Sequence, residues 1–434
     1  GSLQDRNKTF DTNLVVDSKL NNSNFVTIRV TTTDWAGNTS VSEKKLVIDI
    51  TPPRIEVVYD NNEPKNGKYY NRPRTATIRV YERNFDPKGV NLSILGGNAQ
   101  VSGWSIGSQA GISDDNVNTA TITFAEDGDY SFTMSVTDLA GNRADYGKTD
   151  TFTIDKTAPK LNVSWDKELV NGKYVNSTRT ATITVNEHNF DANGFTADIK
   201  AELQKHGITK PSVGSWSQSG DNHTTTITFA DDGDYSFVLN YEDLAGNKSE
   251  TYTENEFTID KTTPEITIEG VEDKSSNKGD VNPVVKISDL NYDKEKTVLK
   301  LKGNRHKERV VNGSFEDFDN GTRISLDLFP KTEDVDDIYT LTAESTDKAG
   351  NVSTKTIVFS VNRFGSNYYL SDDTNAYVKK YYNKSEQDIV IHEVNADELQ
   401  NQTVHVVKNG ETVNLKVASN GKEKNISMKL ESFN

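Results

Sequence analysis

Two short strings hold the side chains that could do chemistry in this sequence. Glu82-Arg-Asn84-Phe-Asp86 returns as Glu187-His-Asn189-Phe-Asp191 and as Asp289-Leu-Asn291-Tyr-Asp293. Each copy sets oxygen-bearing side chains at i, i+2 and i+4, with an aromatic between the last two. The second string, Asp-x-Ala-Gly-Asn, begins at Asp34, Asp138, Asp243 and Asp347, and a further acid stands just before a proline at Asp49, Asp155 and Asp260. Carboxylates, amides and carbonyls are what a hard cation such as Ca²⁺ takes as ligands, six to eight oxygens at a time. The same residues also suit turn chemistry. An Asp caps its own turn through its side chain, a Gly supplies the left-handed conformation, and a Phe or Tyr plugs the end of a core. Both readings stay open on sequence alone.

Whatever positions these strings is repeated. The Asp-x-Ala-Gly-Asn copies start 104, 105 and 104 residues apart, and Asn66-Gly-Lys-Tyr69, Arg74-Thr-Ala-Thr-Ile78 and Asp127-Gly-Asp-Tyr-Ser-Phe132 each return after 105. The chain is therefore a tandem array, and self-similarity at a fixed period outranks every other fold signal. Connectors ending in Thr-x-Pro place the expected units at 51–156, 157–261 and 262–361. Residues 1–50 read as the closing strands of one more unit, and 362–434 as a divergent or incomplete one without its Asp-x-Ala-Gly-Asn string.

Inside a unit the apolar period is two. Ala76, Ile78 and Val80 alternate with Thr77 and Arg79, and Thr119–Phe124, Tyr130–Val136 and Phe152–Ile154 repeat the pattern. These are half-buried strands rich in β-branched and aromatic residues. Asn-Gly at 66–67 and 171–172 predicts tight hairpins. Seven short strands in roughly 100 residues predict an all-β chain of tandem immunoglobulin-like sandwiches, with Tyr130, Tyr235 and Tyr339 at the tyrosine corner. In that topology the Glu-x-Asn-x-Asp string is the B–C loop and Asp-x-Ala-Gly-Asn the F–G loop. Both sit at the pole where the connector enters.

Three sets should then converge. The first is Asp49, Glu82, Asn84, Asp86 and Asp138, joined by Asn142. The second is Asp155, Glu187, Asn189, Asp191 and Asp243, with Asn247. The third is Asp260, Asp289, Asn291, Asp293 and Asp347, with Asn351. Each is an expected interdomain Ca²⁺ site, and no other cofactor is expected. The fourth junction is weaker, because Asn362 replaces the connector acid.

Composition narrows the rest. The net charge of −16 argues against nucleic acid, which needs basic patches. The absence of cysteine excludes disulfide frameworks and thiol nucleophiles. No run of 18 apolar residues predicts direct membrane insertion of this segment. The histidines 188, 206, 223, 306, 392 and 405 recur at no equivalent positions and read as scattered surface side chains, so no catalytic residue is assigned. Trp104 and Trp216, offset by 112 residues, read as core tryptophans ahead of sugar-stacking ones.

With these strings in hand the chain resembles the bacterial Ig-like modules of large surface proteins, especially those of Gram-positive gut bacteria. Asp-x-Ala-Gly-Asn, Ile154-Asp-Lys-Thr-Ala-Pro159 and Glu-x-Asn-Phe-Asp carry the resemblance, over about 50–361 well and over 362–434 weakly. Similar strings occur in giant repeat adhesins of Gram-negative bacteria. The resemblance implies a non-enzymatic, cell-surface or secreted stalk for adhesion, in some relatives with Ca²⁺ at the junctions. The partner would be a host or bacterial surface protein or a glycan. The alternative is an accessory region of a secreted carbohydrate-active enzyme, since such modules also trail glycosidases. A ligand surface is sought at 95–118 and 201–223, which diverge most between units.

Overall fold

The computed structural model describes residues 12–109, 111–203, 210–380, 388–397, 399, 405–414 and 423–429. Alternation in the sequence becomes alternation in burial: the strand Arg74–Tyr81 buries every second side chain, with Ala76, Ile78 and Val80 enclosed. It pairs antiparallel with Arg54–Tyr59 on one side and Val117–Phe124 on the other, and Ala99–Val101 completes that sheet. The facing sheet is built on Gly128–Thr137, which pairs with Val90–Leu95, Arg143–Asp145 and Asp150–Ile154. Tyr69–Tyr70 closes it, parallel to Asp150–Ile154. Between the sheets Phe124, Tyr130, Phe132 and Phe152 meet edge-to-face or stacked. A fully buried aromatic of this kind contributes up to about 3 kcal/mol through lost contact with water.

The same two-sheet plan recurs downstream. Lys160–Trp165, Arg179–Asn186, Asn222–Phe229 and Ser217–Ser219 form one sheet; Tyr174–Val175, Tyr252–Ile259, Gly233–Tyr241 and Phe195–Leu203 form the other. Glu265–Glu269, Val284–Ser288, Gly321–Ser325 and Ser314–Phe318 then face a five-stranded sheet that gains the strand Arg309–Val311. Each sandwich has its own core cluster, and none shares a buried apolar residue with its neighbour. The expected fold class is what the strands build. In all three the corner tyrosine donates its phenol proton to the carbonyl four residues back, Tyr130 to Glu126, Tyr235 to Asp231 and Tyr339 to Val335, each at 2.8 Å.

Ser23–Thr33 and Thr39–Ile48 pair as a two-stranded ribbon. At the other end Asn367–Leu370, Asp388–Val394 and Glu423–Lys429 form a three-stranded sheet. The helix Asp372–Val378 there was not expected, although its signal stood in the sequence. Ser371 accepts the N–H of Thr374 and two acids fill the first turn, as at many helix starts.

Candidate metal centre

Three loops are held against one another at each joint, and the 157–261 sandwich shows how. Asp155 leaves the last strand of the preceding sandwich with its N–H donated to the carbonyl of Tyr70, which fixes the connector to the strand beside it. Its Oδ1 accepts the N–H of Thr157 at 3.1 Å and its Oδ2 accepts the amide of Asn189 at 2.9 Å, from the B–C loop. Asn247 of the F–G loop donates to the carbonyl of Asp155 and to Oδ2 of Asp243, both at 2.9 Å. The N–H of Leu244 reaches the carbonyl of Asn189 and ties the two loops together.

The result is a carboxylate triad. One oxygen each from Asp155, Glu187 and Asp243 lies within 4.8 Å of the other two, and Asp49, Glu82 and Asp138 and then Asp260, Asp289 and Asp347 form the same group. All nine side chains are buried. Three ionised carboxylates at this spacing repel by on the order of 3 kcal/mol per pair in a partly buried site. Their protonation answers to that. Burial, and then the neighbouring acids, push Glu82 and Glu187 up to about 7 and Asp289 up to about 6. Burial also raises Asp243 and Asp260.

The middle acid of each triad is the revealing one. Glu82, Glu187 and Asp289 each accept the N–H two residues on, at 2.6, 2.7 and 2.7 Å, through one oxygen. Their residues are 0, 5 and 8% exposed, and at Glu82 the second oxygen is also shut off from solvent with no hydrogen-bond partner among the described residues. A buried carboxylate oxygen without a donor is costly unless a proton or a cation satisfies it. An oxygen-rich, enclosed group with free lone pairs fits a hard divalent ion.

The structure separates the remaining expected ligands. Asn84, Asn189 and Asn291 turn their N–H groups toward Asp49, Asp155 and Asp260, so they bridge the carboxylates as donors. Asp86, Asp191 and Asp293 stand outside the triads. Each caps a single 3₁₀ turn by accepting the N–H two residues on, from Lys88, Asn193 and Glu295. Position i+4 of the string points to the next turn, away from the pole. The turn reading of Asp-x-Ala-Gly-Asn holds at the same time as the convergence. Asp138 accepts the N–H of Ala140 and of Asn142 through one oxygen while Gly141 takes φ 92°.

Sequence reasoning missed Arg83. It lies between two expected ligands, yet its Nη2 binds Oδ1 of Asp49 at 3.0 Å and its Nη1 binds Asp114 at 2.8 Å. It also missed His223, which is buried rather than on the surface. That ring stacks on Phe190 at 3.9 Å, and its Nε2 lies 3.1 Å from the carbonyl of Glu187. Trp104 and Trp216 pack on the plugging aromatics Phe85 and Phe190 at 4.7 and 4.9 Å, which explains their unequal offset: the extra residues fall between Phe190 and Trp216.

Two facing sheets in this strand order, joined head to tail with loops locked at the pole, define a tandem immunoglobulin-like array. The family profile described as bacterial Ig-like domain (group 3) matches residues 118–204 and 216–362, more than half of the chain, and the chain belongs to that family. Among solved structures it is similar to the Escherichia coli adhesin FdeC, at 14% identity over 72% of this chain and 98% of that one, with a TM-score of 0.31. It is also similar to the ICAM-5 D1–D4 ectodomain fragment, at 8% identity over 88% and 100%, with a TM-score of 0.37. The extracellular domain of protocadherin gammaB4 matches at 12% identity over 96% and 73%, with a TM-score of 0.27. Likeness at these levels concerns the fold alone. No curated protein matches the chain.

Proposed function

We propose that this chain is a non-enzymatic stalk segment of an extracellular bacterial surface protein, in which Ca²⁺ at the junctions sets how firmly one sandwich is held to the next. Membership of the bacterial Ig-like family supports the setting. The observation that carries the mechanism is the carboxylate triad, built three times at the same pole from buried side chains, with one enclosed oxygen of Glu82 that no donor among the described residues reaches. A bound divalent ion offsets the repulsion and joins a connector acid to the two loops beyond it. The unit limits are those given by the connectors, at 50, 156, 261 and 361. The array projects or presents a region that binds a surface protein or a glycan, with 95–118 and 201–223 as the first places to look.

Small-angle scattering and thermal melting of the chain, with Ca²⁺ and with chelator, test this. The expected result is a higher melting temperature and a narrower distribution of shapes with Ca²⁺. An unchanged melting temperature and an unchanged scattering profile would sink it.

A further inference from the structure

We infer that the four joints are unequal in their demand for a divalent cation: those at Asp155 and Asp260 each take one, the joint at Asp49 carries its own counter-charge, and the joint at Asn362 has had its charge removed. This rests on the reading of the triads as cation sites.

The residue after the middle acid makes the difference. At the first joint it is Arg83, which is buried with its guanidinium shared between Asp49 Oδ1 and Asp114, and which donates to Asn24 Oδ1 at 3.2 Å in the ribbon of the preceding unit and to Asn22 just before it. One fixed positive group thus binds the connector acid and crosses the joint. At the second joint the same position is His188, whose side chain is 71% exposed and turned to Asp221 at 3.0 Å. At the third it is Leu290, also exposed. Among the described residues no salt bridge reaches Asp155, Glu187, Asp243, Asp260, Asp289 or Asp347, whereas Asp49 has one. A cation entering the first triad meets a like charge already seated on one of its ligands. Asp155 and Glu187 of the second triad instead line a cleft of about 420 Å³ with Asp127, Asp129 and Asp221 against one lysine, Lys160, an acidic excess that draws cations in.

Strand register settles the fourth joint. Arg54 pairs with Tyr81, and Asn367 pairs with Val394, so Asn362, Asn395 and Asp397 stand where Asp49, Glu82 and Asn84 stand at the first joint. Asn84 donates its amide to the connector carboxylate; here the connector amide of Asn362 donates to Asp397 at 3.0 Å and to Asn395 Oδ1 at 2.7 Å. Amide and carboxylate have changed places, and an amide replaces the middle acid. Among the described residues a single carboxylate, Asp397, remains at these three positions, too little charge there to hold a divalent ion against water.

Calorimetric titration of the Ca²⁺-stripped chain with CaCl₂ counts the sites. The wild-type chain should take two ions, with any third at least ~100-fold weaker, the scale of like-charge repulsion in a partly buried site. Glu187→Gln should lower the count to one, Glu82→Gln should leave it at two, and Arg83→Ser should raise it to three. The Glu82 and Glu187 variants decide the matter even if Arg83→Ser fails to fold. Three equal sites in the wild type, or loss of a tight site in Glu82→Gln, overturns the inequality and leaves the cation reading standing. No heat at all overturns the cation reading itself.

Discussion

The side-chain amide of Asn66 donates to the backbone carbonyl of Leu244 at 2.7 Å, across 178 positions of sequence. One repeat later Asn171 does the same to the carbonyl of Lys348 at 2.9 Å. The Asn-Gly turn of one sandwich therefore rests on the F–G loop of the next. Lys65 adds an ion pair to Glu242 at 3.1 Å. Ala245 and Ala349 are buried, whereas Ala140, on whose F–G loop no such turn rests among the described residues, is exposed. At 245 and 349 the alanine of Asp-x-Ala-Gly-Asn thus makes room for the neighbouring unit, since a larger side chain there would hold the turn off.

Replacing Asn66 by Ala should loosen the joint without unfolding either sandwich. The bond is exposed, so its loss should cost no more than about 1 kcal/mol of global stability. The change should appear in geometry: spin labels on the 51–156 and 157–261 sandwiches should give a broader distance distribution, with melting nearly unaltered. An unchanged distribution would show that the carboxylate pole holds the joint by itself.

The corner tyrosines make a second prediction. Tyr130, Tyr235 and Tyr339 are buried, and each phenol satisfies a carbonyl in the E–F turn. Tyr→Phe at any one leaves the ring packing intact and removes that donor, which should cost about 1 to 2 kcal/mol in the unfolding of its own sandwich. Denaturant titration should show a single transition moving while the others stay. Because each core is separate, a shift of every transition would contradict this account.

Trp216 separates packing from recognition. Its ring lies against Phe190 at 4.9 Å and Phe195 at 5.2 Å, at the end of the core. Trp216→Ala should destabilise its sandwich by about 3 kcal/mol, the usual cost of emptying an aromatic site. Near-ultraviolet dichroism and a denaturant melt measure that. Oligosaccharides added to the intact protein should leave Trp216 fluorescence unchanged.

How far the sequence leads can be seen in particular residues. Ala76, Ile78 and Val80 announced their strand, because a period of two and a buried face leave no other solution. The meeting of Asp49, Glu82 and Asp138 was legible too, since strand order alone carries their loops to one pole. Directions of side chains were not. Asp86 looks like a fourth ligand by spacing, but the turn after it needs a cap. The Asn-Gly pair at 66–67 looks like a hairpin within one sheet, yet it joins two sheets and faces another unit; Asn171 and Gly172 both take positive φ, as a type I′ turn requires, while at the earlier copy only Gly67 does. Glu393-Val-Asn395-Ala-Asp397 has the spacing of the acidic string, and pairing moves it two places, so that Asn395, not Glu393, takes the middle position. Only register reveals that.

The pH dependence of stability follows from the middle acids, and its sign is unusual for carboxylates. Burial raises Glu82 and Glu187 from 4.5 to about 7, and Asp289 from 3.8 to about 6, in the folded protein. Between the ordinary and the raised values the folded chain binds more protons than the unfolded one, so stability falls as pH rises across that window. Below about 4.5 both states hold the proton and these groups add no slope; above about 7 their full cost is present. In chelator, the melting temperature should therefore drop between pH 5 and pH 8, contrary to the rise that salt-bridged carboxylates give. Ca²⁺ competes with those protons, so at saturating Ca²⁺ the drop should shrink or reverse, and each ion bound near pH 6 should release protons to the buffer. Melting at several pH values, paired with titrations in buffers of different ionisation enthalpy, measures both effects. Glu187→Gln should remove part of the slope in chelator and stabilise its sandwich at pH 8, because an amide has no charge to bury there. A flat profile in chelator would mean that the middle acids already find their counter-charge within the chain.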